Sequence, residues 1–165
     1  YILEKIFNWK GLLSEPAKIW QKSLNENRKC YIDTNCIWLK SNLTLVFNET
    51  KEAELSTISS FSYSDSFAKV RKEGIKYNVN TISLEDLLKK YNAPKQIDYL
   101  SIDTEGSEYE ILNNFDFSLY NIKIITCEHN FSKNREKICE LLKNNGYTRK
   151  LKDLSNSDDW YVKSL

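Results

Sequence analysis

The sequence predicts an α/β sandwich, in which a mostly parallel sheet carries helices on both faces. Apolar runs typical of strands alternate along the chain with amphipathic helical segments, and the connections between them are short. A content of 41% hydrophobic and 13% aromatic residues supports an ordinary globular core. The length of 165 residues fits one domain, and neither an internal repeat nor a linker interrupts it.

The first half of the chain is predicted to contain four strands and two longer helices. A helix over residues 1–9 is indicated by apolar residues at helical spacing, namely Ile2, Leu3, Ile6 and Phe7. A second helix is predicted over residues 17–29, behind Pro16. The predicted strands cover residues 10–16, 30–39, 43–48 and 76–83. The serine-rich segment 51–74 is predicted as a loop that ends in a short helix.

The second half continues the alternation. Ser83 is predicted to cap a helix over residues 84–92, with Asp86 in the place of a capping-box acid. Buried strands are predicted over residues 97–103 and 121–129, each followed by a helix, at residues 108–115 and 133–147. Gly146 supplies the stop signal of the last helix. Residues 148–153 and 159–165 are predicted to form a closing antiparallel pair of strands.

Charge and cysteine usage narrow the classes of partner. The formal net charge of +1 gives no electrostatic reason to expect nucleic acid or anionic lipid, and the basic stretch KVRKEGIK is interpreted as a solvated face. No apolar run approaches the length of a membrane span, and no signal peptide opens the sequence. The four cysteines form no metal-binding spacing, so we interpret them as reduced thiols of a cytoplasmic protein, although two disulfides are also compatible with the sequence.

Acidic side chains follow several of the predicted strands. In a parallel sheet the carboxyl ends of the strands share one rim, and ligands gather beyond it. The acids at such ends are Glu15, Asp33, Asp103 and Glu128. The sequence therefore predicts that carboxylates far apart along the chain meet at one edge.

The stretch SIDTEGSE carries the most distinctive group of acids. Asp103 and Glu105 end a strand ahead of Gly106, and such a pair is able to bind a divalent metal, accept a proton or hold a ligand amine. Glu108 and Glu110 stand in the first helical turns, where the helix dipole favours acids, so we interpret them as structural.

A second group is the stretch CEHN, in which His129 directly follows Glu128. Histidine suits proton transfer near neutral pH. A lone histidine is nevertheless commonly a hydrogen-bonded structural residue, so both interpretations of His129 stay open.

These motifs together resemble the FkbM family of S-adenosylmethionine-dependent methyltransferases. The resemblance is carried by IDYLSIDTEGSEYEIL, IITCEHNF, NREKICELLKNNGY and DDWYVK, and it extends over nearly the whole chain through LEKIFNWKGLLSEP and VNTISLEDLL. It implies a Rossmann-like class I methyltransferase sandwich. Members commonly methylate hydroxyl groups of sugars, glycans or natural products, with S-adenosylmethionine as the cofactor. Apart from the resemblance, the chemistry of the strand-end acids leaves a divalent metal open as a second cofactor.

The resemblance also implies roles for individual residues. Glu15 would hold the ribose hydroxyls of S-adenosylmethionine, and the segment from Asp33 to Cys36 would line the adenine, with Thr34 and Asn35 as the candidates. Asp103 would lie at the methionine end. The residues that would face the acceptor and take part in catalysis are Asp103, Glu105, Glu128 and His129.

The sequence departs from the family pattern in two places. Family members begin with a strand and a glycine-rich turn of the form D-x-G-A, and neither is found among these residues. Since Tyr1 begins within a predicted helix, we expect residues 1–165 to be one methyltransferase-like domain that lacks its N-terminal part; the alternative is a degenerate member. In addition, Ala17-Lys18 replaces the usual Asn-Pro behind Glu15-Pro16, which affects the shape of the ribose corner.

Two other functions compete with an O-methyltransferase. A member without its glycine-rich turn would serve as a catalytically inactive binding or scaffold module. A strand that ends in D-x-E also opens metal-dependent exonucleases, which hold two metals with such carboxylates. In those enzymes the motif lies on a first strand before a hairpin, whereas here it follows at least four predicted strands and enters a helix.

Overall fold

The computed structural model describes residues 1–164, and helices and strands alternate along them. In chain order these elements are α1 (Ile2–Lys5), β1 (Leu12–Ser14), α2 (Lys18–Asn27), β2 (Tyr31–Asp33), β3 (Cys36–Trp38), β4 (Thr44–Glu49), β5 (Thr57–Ile58), α3 (Ala68–Arg71), β6 (Ile75–Ser83), α4 (Leu84–Lys90), β7 (Gln96–Ile102), α5 (Glu108–Asn113), β8 (Asn121–Glu128), α6 (Asn134–Asn144), β9 (Tyr147–Lys150) and β10 (Asp158–Lys163). The predicted last strand reaches Leu165, which lies outside the described residues. Across residues 1–164, no helix combines the length and the apolar character that crossing a bilayer requires.

The strands form three separate sheets, and the fold is mixed α/β. One sheet is the pair β1–β2, the second has the order β3–β6–β4–β5, and the third has the order β7–β8–β10–β9. Parallel pairing joins β1 to β2, β3 to β6 and β7 to β8, whereas the remaining pairings in the described residues are antiparallel. The predicted single, mostly parallel sheet is wrong, because alternation of apolar residues identifies a strand but not the direction of its partner. The C-terminal antiparallel pair is present as β9 and β10.

The segment predicted as one strand over residues 30–39 is divided into β2 and β3. The break lies at Asp33, whose Oδ1 accepts hydrogen bonds of 2.8 Å from both the backbone N–H and the side-chain amide of Asn35. An aspartate that binds the backbone two residues further on forms a turn. Consequently β2 pairs with β1, and β3 joins another sheet through β6.

The first helix is shorter than the sequence pattern predicts, since α1 ends at Lys5. Asn8 has a φ of 54°, and a left-handed residue does not continue a right-handed helix. The predicted apolar stripe is exposed rather than packed into a core; its members are Ile2, Leu3, Ile6 and Phe7.

The main core lies between the sheet of β7 to β10 and helices α4, α5 and α6. Its most deeply buried members are Leu112, Ile122, Ile125 and Leu142. In α6, Ile138 and Leu142 are four residues apart and therefore lie on one face of the helix. The helix ends before Gly146, whose φ of 83° suits a glycine stop. All four cysteines are free, so no disulfide adds to this core.

The opposite face of the same sheet is open at three neighbouring positions. Tyr99, Ile124 and Val162 lie side by side across β7, β8 and β10, with exposed fractions of 36%, 40% and 37%. The prediction of helices on both faces is therefore wrong at these residues.

We expect two adjacent isoleucines of β8 to differ sharply in their contribution to stability. Ile125 is 0% exposed, so Ile125→Ala should lower the free energy of unfolding by about 2–5 kcal/mol through lost burial and a cavity. Ile124→Ala is the matched control, because this side chain points to the open face, and it should cost less than about 1 kcal/mol. Urea denaturation monitored by circular dichroism measures both. Equal losses would mean that the open face is covered in solution.

Candidate active site

Acids that are distant in the sequence face one cleft. Glu15 directly follows β1, Asp103 directly follows β7, and both line this cleft together with Glu105. The pKa of Glu15 is raised by burial first and, in addition, by the charges of Glu49 and Asp103. The walls include the apolar side chains Trp20, Ile37, Phe47 and Ile58. The cleft therefore joins strand-end carboxylates to an apolar surface.

Three of the carboxylates form a tight cluster, which we call the acid trio: Asp103, Glu105 and Glu128. One oxygen from each lies within 4.8 Å of the others. The cluster arises from the parallel register of β7 and β8, in which Ile102 lies opposite Cys127, so that the next residue on each strand is an acid.

The acid trio is too crowded to be fully ionised near neutral pH. Burial, followed by the charges of Asp103 and Glu105, raises the pKa of Glu128 to about 10. Burial also raises the pKa of Glu105 to about 7, although the neighbouring Arg71 opposes this shift. The pKa of Asp103 is raised as well, chiefly because its carboxyl group is partly desolvated, although the residue as a whole is exposed. Like charges at this distance require either a shared proton or a bound cation, so the trio can hold a proton or take a divalent metal.

The turn that follows Asp103 is held by a second acid. Glu105 has a φ of 59° and Gly106 a φ of 120°. The Glu108 carboxylate accepts the backbone N–H of Thr104 at 2.8 Å and that of Gly106 at 3.0 Å. Glu108 is buried, and it stabilises the turn by direct hydrogen bonds rather than only through the helix dipole. The structural interpretation of Glu108 is consistent with these contacts.

The acid trio is also contacted by a residue that the sequence did not single out. Arg71 lies in the stretch KVRKEGIK, and the interpretation of this residue as part of a solvated face is wrong, since it is 1% exposed. Its Nη2 lies 2.5 Å from Oε2 of Glu105. The sequence of the segment 51–74 did not reveal this contact, because Glu105 lies 34 residues beyond Arg71.

His129 lies outside the residues that line the cleft. Its Nδ1 accepts the backbone N–H of Phe131 at 3.0 Å, and its Nε2 lies 3.7 Å from Oδ1 of Asp159. Asp159 is in turn held by Arg135 through two hydrogen bonds. Burial first, and then the charge of Arg135, lower the pKa of His129. Nδ1 is thus paired, whereas the buried Nε2 has no hydrogen-bond partner among residues 1–164, so both interpretations of this lone histidine stay open.

The residues expected near an adenine are placed differently from the acid trio. The Asp33 carboxylate is buried and binds Lys90 Nζ at 2.7 Å; burial acts to raise its pKa, but the bonds from Lys90 and Asn35 lower it. The backbone carbonyl oxygen of Asn35 accepts a hydrogen bond of 2.8 Å from the hydroxyl of Ser14, which ties this turn to the end of β1. Asn35 and Lys90 both line a second groove, which is polar. Thr34 is exposed.

The raised pKa of Glu128 makes a prediction about stability and pH. Since the folded state binds this proton more tightly than the unfolded chain, the free energy of unfolding should fall as the pH rises from the ordinary glutamate value of 4.5 toward about 10. Glu128→Gln should flatten this fall, because the amide carries no titratable proton.

Urea denaturation in EDTA at about pH 5, 7 and 9 measures the slope. Glu140→Gln, which changes an exposed acid of α6, should keep the slope of the wild type. A wild-type slope equal to that of Glu128→Gln would contradict a tightly held proton at this site.

Comparison with known proteins identifies the family of the chain. The family model described as the methyltransferase FkbM domain matches residues 7–149 of 165, a range that includes β1, the acid trio and His129. No curated protein and no solved structure matched the chain. Because the family model covers most of its length, the chain belongs to the FkbM family of methyltransferases.

Proposed function

We propose that the protein is an S-adenosylmethionine-dependent O-methyltransferase that acts on a hydroxyl group of a sugar, a glycan or a natural product. The observation that carries this proposal is the shared cleft of Glu15 and Asp103, which end two different parallel strand pairs. A ligand that bridges these two carboxylates would span the rim where α/β folds commonly bind nucleotides.

On the donor side, Glu15 is assigned to the ribose hydroxyls. Its Oε1 accepts the backbone N–H of Ala17 at 2.7 Å, which fixes the carboxylate at the rim. Within residues 1–164 the other oxygen accepts no hydrogen bond, so it is able to accept one from a ribose diol. Asp103 is assigned to the methionine end, and Thr34 and Asn35 to the adenine. S-adenosylmethionine supplies the methyl group as a sulfonium electrophile.

On the acceptor side, Glu105 is the proposed base. A hydroxyl group loses its proton as the methyl group is transferred, and a carboxylate with a pKa of about 7 is suited to accept it near neutral pH. Arg71 and the Asn130 amide both bind Oε2 of Glu105, so the orientation of the carboxylate is fixed. Glu128 would share the proton with Asp103. His129 is not needed in this scheme.

A catalytically inactive binding module is the second candidate, and the size of the cleft favours it. The cleft has a volume of about 90 Å³, whereas small-molecule sites commonly enclose about 300–1,000 Å³. The small volume of the cleft is compatible with an enzyme if a further strand completes the site. Two strand edges are open for it, because among the described residues β1 pairs only with β2 and β7 only with β8. In our proposal a further strand with a glycine-rich turn, in an N-terminal part, lies between β1 and β7 and completes the site.

The exonuclease alternative gains no support, because the strand with the D-x-E motif runs into α5 and not into a hairpin.

We expect Asp103→Ala to abolish methyl transfer while the melting temperature stays within about 2 °C of the wild type, because Asp103 is exposed at the rim. Transfer from labelled S-adenosylmethionine to a panel of sugars and hydroxylated natural products measures the activity. Asp98→Ala is the matched control, since Asp98 is an exposed acid of the same strand whose partner is Lys123 on the surface. An Asp103→Ala protein that unfolds would make this carboxylate structural, and full activity would remove it from the site.

The acid trio is a candidate site for a divalent metal as well, because three carboxylate oxygens lie within 4.8 Å. If it binds a metal, calorimetric titration with Mn²⁺ should give one site, and Glu128→Gln should weaken the affinity about tenfold or more. Glu140→Gln should leave the affinity unchanged. Equal binding by Glu128→Gln, or no binding by the wild type, would exclude the acid trio as a metal site and leave it with a proton.

A further inference from the structure

One buried arginine joins the loop between β4 and α3 to the acid trio. Arg71 donates from Nε to the carbonyl oxygen of Leu55 at 2.8 Å, from Nη1 to Oδ1 of Asp65 at 2.8 Å, and from Nη2 to Oε2 of Glu105 at 2.5 Å. Each of the three guanidinium nitrogens therefore has a fixed partner. The end of α3 is also tied to β4, since the backbone carbonyl oxygen of Arg71 accepts a hydrogen bond from the Asn48 amide at 2.8 Å.

The two segments that Arg71 connects are both walls of the cleft. The segment 53–58 contributes several lining residues, and Glu105 is a lining residue from a distant part of the sequence. A second contact holds the same two segments, because the Thr57 hydroxyl donates to the carbonyl oxygen of Glu105 at 2.9 Å. Arg71 itself does not line the cleft, so it can act on a ligand only through these walls.

Glu105 depends on such support for its position. Its φ of 59° is unfavourable for a residue with a side chain, at a cost of about 1–2 kcal/mol, and it persists only where neighbours fix it. Its N–H donates to Glu128 at 3.2 Å, and its Oε2 accepts from both Asn130 and Arg71. Within residues 1–164, Oε1 accepts no hydrogen bond, and Glu105 is among the residues that line the cleft.

Stability alone does not explain a cation at this place. The Arg71 side chain is 0% exposed, and its two acids Asp65 and Glu105 are 3% and 8% exposed. Removing such charges from water costs several kcal/mol, and apolar residues of similar volume are often as stable. The gain from the cluster lies in geometry, because a planar guanidinium with three partners orients each of them.

We propose that Arg71 is a positioning residue of the active-site cleft, an inference that rests on the proposed function. It sets the orientation of the Glu105 carboxylate and holds the segment 53–58 against the turn that follows Asp103. Without Arg71, Glu105 and the segment 53–58 lose their common anchor, and the cleft loses its shape for the nucleoside ligand.

The test compares Arg71→Met and Arg71→Lys with the wild type, using S-adenosylhomocysteine as the probe in calorimetric titrations. Arg71→Met should weaken its affinity about tenfold or more, and Arg71→Lys should restore part of the loss, since it keeps the charge. Arg28→Met is the control: Arg28 also pairs with one glutamate, Glu4, but lies outside the cleft lining. It should keep the wild-type affinity within about twofold.

Hydrogen exchange measured by mass spectrometry gives a readout that does not need the ligand. Arg71→Met should speed exchange in segments 53–66 and 104–107 and leave α6 unchanged. If this variant does not fold, Asp65→Asn serves instead, with the same changes at smaller size. If the wild type binds S-adenosylhomocysteine and the Arg71 variant binds it with unchanged affinity, the proposal is overturned. If the wild type does not bind the probe, the proposed function fails, and exchange alone then decides: faster exchange supports the role of Arg71, and unchanged exchange overturns it.

Discussion

The register between β7 and β8 is the constraint on which the site depends. Because Ile102 lies opposite Cys127, Asp103 and Glu128 emerge side by side at the carboxyl ends of their strands. Two ionised carboxylates within 4.8 Å repel each other by roughly 3 kcal/mol at an effective dielectric constant of about 20. A register shifted by one residue would place these side chains on opposite faces and remove the repulsion together with the site. The strand pairing therefore adds charge repulsion to the burial that is the main cause of the raised pKa values of Glu105 and Glu128.

The strand-end acids could be predicted from the sequence, because each follows an apolar run whose end is easily recognised. Glu15 and Asp103 do face one cleft, although the parallel sheet that was the reason for this expectation is divided. Strand direction was not predictable, since β4 and β6 pair antiparallel over six residue pairs without any short hairpin signal between them. The division between β2 and β3 depends on the turn at Asp33, which a run of strand-forming residues conceals.

The contacts made by charged residues were the least predictable part. Arg71 stands in a stretch that was interpreted as a solvated face, and Glu108 stands in a first helical turn, yet both are buried against the turn that carries Glu105. The Glu105 partner of Arg71 lies 34 residues further along the chain, and the partners of Glu108 are backbone N–H groups of a turn whose shape the sequence does not specify. His129 is a further example: its residue type favours catalysis, yet it lies outside the cleft lining, and its Nδ1 accepts the backbone N–H of Phe131. Burial and partners, which only the fold determines, decide whether a titratable group is functional.

Two features of the fold are open among residues 1–164. β1 pairs only with β2 and β7 only with β8, and the sheet that contains β7 exposes Tyr99 and Ile124 on the face opposite the main core. The cleft, with a volume of about 90 Å³, is smaller than a small-molecule site commonly is. In our proposal its acids and apolar walls form one part of the donor site.

A crystal structure with S-adenosylhomocysteine tests the central claim most directly. The proposal predicts that the ribose hydroxyls bind the Glu15 carboxylate and that the sulfur lies on the side of Asp103, with the acid trio facing the position of the missing methyl group. A ligand bound in the polar groove beside Asn35 and Lys90, with its ribose away from Glu15, would contradict it.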